Sequence, residues 1–97
     1  MSYYFLAQIK INEPEEYQKY IDQVDKVFAL YNGKYLVVDD TPVVLEGNWN
    51  YTRTVLIEFK SKKEFEDWYY SEDYQQILKY RLTAAKCDSI LLKGAKF

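Results

Sequence analysis

Apolar side chains recur along this chain with two periods, and each change of period marks a change of element. Residues 4–11 alternate Phe5, Ala7, Ile9 and Ile11 against Tyr4, Leu6, Gln8 and Lys10, which predicts a strand. Asn12 or Glu13 then offers a helix cap, with Pro14 in the first turn, where proline removes no needed donor. Tyr17, Tyr20, Ile21, Val24, Phe28 and Tyr31 follow at helical spacing and predict an inward stripe. Glu15–Lys19 and Asp22–Lys26 are expected as i,i+4 pairs outside, and Asn32-Gly33 as the closing cap.

Residues 34–38 predict a second strand. Asp39-Asp40-Thr41-Pro42 predicts a turn, residues 43–46 a short return strand, and Gly47-Asn48-Trp49-Asn50 a loop. Residues 54–59 set Val55, Ile57 and Phe59 against Thr54, Leu56 and Glu58, a β-branched run that predicts the central strand. Ser61, three residues before Glu64, forms a capping box for a helix over 62–70 that aligns Phe65, Trp68 and Tyr69. Ser71 interrupts it. Glu72 and Asp73 suit the first turn of a new helix over 72–85, whose stripe is Tyr74, Ile77, Leu78, Arg81, Leu82 and Ala85. Residues 89–93 predict the last strand, and 94–97 a short tail.

The order β-α-β-(β)-β-α-β spans residues 1–97 as a single domain. Right-handed crossovers on one sheet face then give a ferredoxin-like α+β sandwich: an antiparallel sheet with two helices on one face, the second broken near Ser71. Phe5, Ile9, Val55, Ile57, Phe59, Ile90 and Leu92 are expected under the helices. The opposite face is expected to show Tyr4, Leu6, Leu56 and Leu91 beside Gln8, Glu58 and Lys93. In water this is an apolar patch, and a second copy packed sheet to sheet would cover it. A two-fold homodimer with Tyr4, Leu6, Leu56, Glu58 and Leu91 at its interface is therefore expected.

Composition narrows the partners and the chemistry. A formal net charge of −2 and a pI near 5.1 argue against nucleic acid or an anionic membrane as partner. No apolar run approaches a membrane span, and the N-terminus lacks the pattern of a signal peptide. The single cysteine, Cys87, has no internal disulfide partner and is expected to pack as a small apolar residue; a cytoplasmic setting follows. With no histidine, a Ser-His-Asp or Cys-His arrangement is excluded, and nothing marks a metal or cofactor site. Acid or base work would fall to Asp, Glu, Tyr or Lys. Eleven of 97 residues are tyrosine, a ring that buries while keeping a polar tip.

Arg81 is the sharpest candidate, because it sits on an apolar stripe in a chain with eleven lysines and only two arginines. Its planar fork suits a carboxylate or phosphate. It would serve an internal ion pair, with Glu46 for example, hold an anionic ligand group, or reach water. Arg53 would position the loop edge, contact a partner copy or touch a ligand. Trp49 would line a pocket mouth or pack its loop across the dimer. Glu58, opposite the helices, is expected to meet Lys10, Lys93 or a residue across the dimer, with a catalytic base as its other role.

Several ordered pieces carry a resemblance. They are Gly33-Lys34-Tyr35-Leu36-Val37, Leu45-Glu46-Gly47-Asn48-Trp49, Arg53, Ile57-Glu58-Phe59, Ser61, Trp68-Tyr69-x-Ser71, Tyr74-Gln75, Arg81 and Ala84-Ala85. Together they resemble the uncharacterised family known as domain of unknown function 1330, of the dimeric α/β-barrel superfamily. Glu13 departs from the aspartate usual before the proline. The resemblance implies a ferredoxin-like protomer that dimerises through its sheets, and no activity. Relatives in the wider superfamily include cofactor-free monooxygenases, isomerases and haem enzymes, several of which use a histidine that this chain lacks.

Two functional readings remain open. One is a non-catalytic dimeric binding or structural module whose aromatics serve packing. The other is a binding protein or cofactor-free enzyme for a small anionic or aromatic molecule, with Arg81 holding the anion and Trp68, Tyr69 and Tyr74 as pocket walls. RNA binding, which shares this topology, is opposed by the acidic pI and the missing Arg/Lys-Gly-aromatic signature.

Overall fold

In the computed structural model, which describes residues 1–95, seven elements follow one another. They are β1 (Tyr3–Ile11), α1 (Pro14–Phe28), β2 (Lys34–Asp39), β3 (Arg53–Phe59), α2 (Lys62–Tyr69), α3 (Glu72–Ala84) and β4 (Ala85–Lys93). Residues 96 and 97 of the expected tail lie outside the described part. The strands pair antiparallel in the order β2-β3-β1-β4, with the helices on one face, which is the ferredoxin-like α+β sandwich.

The helix break forms as its chemistry dictates. Ser71 Oγ accepts from the Tyr74 amide at 3.0 Å and donates to the Trp68 carbonyl at 2.7 Å, so one hydroxyl closes α2 and opens α3. Such a cap contributes about 0.5–2 kcal/mol. Ser61 likewise accepts from the Glu64 amide at 3.1 Å, but the Glu64 carboxylate takes Asn32 at 3.3 Å rather than turning back to Ser61.

Several expectations are corrected. No strand forms at 43–46: Val43 and Leu45 are 85% and 89% exposed. β2 pairs directly with β3, leaving the segment between them to span the connection as a loop. Glu13 caps α1 without a side-chain bond; instead the Asn12 and Glu13 amides both donate to the Ala84 carbonyl, tying the start of α1 to the end of α3. That helix ends at Phe28, with Ala29 as its cap, so Asn32-Gly33 lies beyond it. The expected i,i+4 pairs give way to Lys19–Glu16 at 2.6 Å and Gln18 donating to Asp22 at 2.8 Å.

The last strand runs in the opposite phase to the one expected. It starts at Ala85 directly from α3, four residues earlier than predicted, and pairs Leu91 with Phe5, Ile90 with Leu6 and Leu92 with Tyr4. Directly opposed residues share a face. Leu91 therefore lies under the helices, and Ile90 and Leu92, 54% and 42% exposed, join Tyr4, Leu6 and Leu56 outside.

Side-chain size is uneven beneath the helices. One row across the sheet reads Tyr35, Ile57, Phe5 and Leu91, and the next reads Val38, Val55, Ala7 and Ser89. Phe59, Phe65, Trp68 and Phe28 pack over the large end with ring centroids 5.5–6.3 Å apart. Nothing comparable fills the small end.

Candidate functional site

The unfilled end is a cleft of about 330 Å³ between α1 and the sheet. Its floor is Ala7, Ile9 and Val55, its sides are Ile21, Val24 and Val38, and the rings of Tyr17, Tyr20 and Tyr35 line it. Both arginines of the chain reach it: Arg53 from the start of β3, on the helix-facing side of the strand, and Arg81 from the last turn of α3. Asp25 is its carboxylate lining residue, exposed at the mouth.

Arg81 is 2% exposed, and no carboxylate among the described residues lies within ion-pair distance of it. Glu46, the partner weighed for it, sits on the exposed 40–52 loop. The Arg81 Nε is buried without a hydrogen-bond partner. Its guanidinium lies 5.8 Å from the centroid of the Tyr20 ring, and the Tyr20 hydroxyl is 2.8 Å from that of Tyr74. Burial works against the charge, while the negative charges that Tyr74 and Tyr20 acquire at high pH work for it, and the net direction of the pKa is up. A guanidinium is in any case charged at every pH where the fold exists. The C-terminal end of α3 offsets part of the burial cost, since cations are favoured there.

Arg53 is held differently: its Nη1 donates to Asp40 Oδ1 at 2.9 Å. Tyr17 stands between the two cations. Burial raises its pKa, and Arg53 and Arg81 both pull it back down. Burial also pushes Tyr35 up to about 12, helped by the Asp25 charge. The phenols are therefore neutral donors near pH 7, facing a cavity with one uncompensated positive charge.

The structure brings together only part of the residue set singled out from sequence. Arg81 and Arg53 share the cleft. Trp68 and Tyr74 are buried in the core, with rings 4.3 Å apart, and neither lines the cavity. Tyr69 lines a separate groove with Phe5, Phe65 and Leu91. Trp49 packs against Tyr51 at 5.3 Å and lines a small hollow on its own loop. Glu58 accepts from the Tyr4 hydroxyl at 3.2 Å, while Lys10 donates to Asn50 at 3.1 Å, so the expected lysine partnership with Lys10 is not made. Cys87 is half-buried, and burial raises its thiol pKa against the pull of Arg81. Sequence reasoning missed Tyr17, Tyr20 and Tyr35 as lining residues. The available signal was two tyrosines at i,i+3 on an inward stripe, each with a hydroxyl that needs a partner.

The family model described as a domain of unknown function (DUF1330) matches residues 2–95. No curated protein matches the chain. Among solved structures, the chain is similar to RPA0582, a protein of unknown function from Rhodopseudomonas palustris: 20% identity over 98% of this chain and 83% of that one, TM-score 0.80. It is also similar to a dimeric ferredoxin-like protein of unknown function from Thermobifida fusca (15%, 95% and 90%, TM-score 0.67). A third is SnoaB, a cofactor-independent oxygenase from Streptomyces nogalater (9%, 99% and 95%, TM-score 0.70). At these identities the likeness carries the fold.

Proposed function

The chain belongs to the DUF1330 family, and we propose that it acts as a homodimeric binding protein for a small organic anion, taken up in the cleft beside Arg81. The observation that carries this reading is a buried guanidinium with no internal carboxylate, opening onto a preformed cavity. An unpaired buried charge costs several kcal/mol, and an anion entering the cleft supplies the missing counter-charge. The neutral phenol of Tyr17 adds a donor, and the aliphatic floor suits an apolar or aromatic body.

A homodimer is supported by the outer sheet face, where half-buried Leu6 and Leu56 adjoin exposed Ile90 and Leu92, and by structural neighbours described as dimeric. A cytoplasmic setting suits the single unpaired thiol of Cys87. No helix among the described residues is long and apolar enough to cross a membrane.

The rival is the non-catalytic structural module, and the Tyr20 ring against Arg81 favours it, because a cation–π contact and a helix end compensate part of the charge. Thermal melts of wild type and Arg81→Met, with and without a panel of aromatic and aliphatic carboxylates, separate the two. Methionine keeps much of the packing of the arginine stem. A stable variant that loses a wild-type stabilisation by one carboxylate supports the binding protein. A strongly destabilised variant, with no carboxylate raising the wild-type melt, overturns it.

A further inference from the structure

Two guanidiniums line one cleft, yet only one is available. Arg81 has no counter-ion, whereas Arg53 already holds Asp40, a residue of the connecting loop. The pair is set by its neighbours. The Thr52 amide donates to the Ile9 carbonyl at 2.8 Å, and the Ile11 amide donates to the Thr52 hydroxyl at 2.9 Å, fixing the strand end that carries Arg53. On the other side, Asp39 Oδ1 accepts from the Thr41 amide at 2.8 Å, a tight turn that fixes the backbone on either side of Asp40. The Asp40 side chain is 61% exposed and that of Arg53 22%, so the contact sits at the cleft's rim. Asp25, at the mouth, is a second negative charge that an incoming ligand meets.

Resting on the anion-binding reading above, we propose that the cleft selects a singly charged carboxylate with an apolar or aromatic body, and that Asp40 sets this selection by occupying Arg53. A monocarboxylate pairs with Arg81 and lays its body on Ala7, Ile9, Val24 and Val55. A second carboxylate on the same body finds no free cation: Arg53 is neutralised, and Asp25 repels it. Asp40 stands where the second anionic group of a dicarboxylate would go. Removing its charge frees a planar fork at the rim, and the cleft then accepts a dianion held at both ends.

The test uses matched acids that differ by one carboxylate, benzoate with isophthalate and octanoate with suberate, titrated calorimetrically into wild type, Asp40→Ala and Asp40→Asn. Wild type is expected to favour the monoacid of a pair. Asp40→Ala is expected to shift the preference toward the diacid by roughly ten- to a hundred-fold, the worth of one charge-assisted hydrogen bond. Asp40→Asn, which keeps an acceptor for Arg53 but not the charge, is expected between the two. Adding Arg53→Met to Asp40→Ala is expected to abolish the shift. An exposed pair of this kind contributes little to folding, so the variants are expected to melt close to wild type. Monoacid binding with a preference unmoved in both Asp40 variants overturns the charge selection and leaves the anion-binding reading standing. Wild type binding the diacid as tightly as the monoacid also overturns it. If no acid of either pair binds any of the proteins, both readings fall.

Discussion

The guanidinium of Arg81 lies over the ring of Tyr20, 5.8 Å from its centroid, and the hydroxyl of that same ring lies 2.8 Å from Tyr74. One side chain thus presents a π face to a buried cation and ties α1 to α3 with its polar tip. Tyr20→Phe keeps the ring and deletes the tip, leaving the Tyr74 hydroxyl in the core without a partner. We expect a loss of about 1–3 kcal/mol in urea unfolding, with carboxylate affinity little changed. Tyr20→Leu removes the ring as well and is expected to lose more. A Tyr20→Phe protein as stable as wild type would mean that Tyr74 reaches another acceptor.

The buried phenols also set an alkaline limit. Burial raises Tyr74 to about 12 against the opposing pull of Arg81, and raises Tyr35 to about 12 with help from Asp25. Tyr20 is raised well above its usual value, first by burial and then by Tyr74. An unfolded tyrosine titrates near pH 10. Folded-state values above the unfolded one mean that the unfolded chain releases its protons first as pH rises. Stability is therefore expected to be level below about pH 10 and to fall between about pH 10 and 12. The phenolate absorbance of the folded protein is expected to rise in at least two phases, exposed tyrosines first. A single phase near pH 10 with an unchanged urea midpoint would place these rings in water.

Gly33 is read from sequence as a helix cap, and the structure gives it another role. A Cβ there would stand 2.6 Å from the Phe28 ring and 2.7 Å from the Phe59 ring. The chain turns into β2 against two aromatic faces, and only a hydrogen fits. Gly33→Ala is expected to cost about 1–3 kcal/mol through overpacking. Phe28→Leu in the same chain is expected to return part of the loss, a coupling that a double-mutant cycle reads directly. Additive losses would mean that the strain sits elsewhere.

The difference between what was legible and what was not follows one rule. The Ser71 break, the Ser61 cap and the alternation in β1 and β3 are local chemistry, and each stands where the sequence places it. Arg81 was legible as an anomaly, because a charge on an apolar stripe demands an explanation. Its surroundings were not, because the cleft arises from a non-local coincidence. Val38, Val55 and Ala7 come from three strands and fall on one row only when the register is known. Tyr74 looked like a pocket wall because it shares the stripe of Arg81, and Trp68 because it lies on the inward face of the preceding helix, but large rings fill space, and the cavity opens where the side chains are small. The phase of β4 was lost for a related reason. Ala85–Lys93 alternates weakly, and its facing is set by the direct junction with α3.

That phase carries a prediction which separates neighbouring residues. Ile90 and Leu91 are both β4 aliphatics, yet Ile90 faces outward beside Leu6 and Leu56, and Leu91 faces Phe5, Phe65 and Tyr69. Ile90→Glu puts a charge on a surface already in contact with solvent in the protomer, so the protomer is expected to stay folded. In the proposed sheet-to-sheet dimer the same charge is trapped against an apolar partner. Sedimentation at micromolar concentration is then expected to show twice the chain mass for wild type and the chain mass for Ile90→Glu. Leu91→Glu puts a charge into the half-buried groove between β4 and α2, against Phe5, Phe65 and Tyr69, and is expected to lower the stability of the protomer more than Ile90→Glu does, whatever its assembly. Far-UV circular dichroism distinguishes a folded monomer from an unfolded one. A folded Ile90→Glu dimer as tight as wild type would move the interface off this face. A Leu91→Glu protomer more stable than Ile90→Glu would reverse the assignment of the two faces.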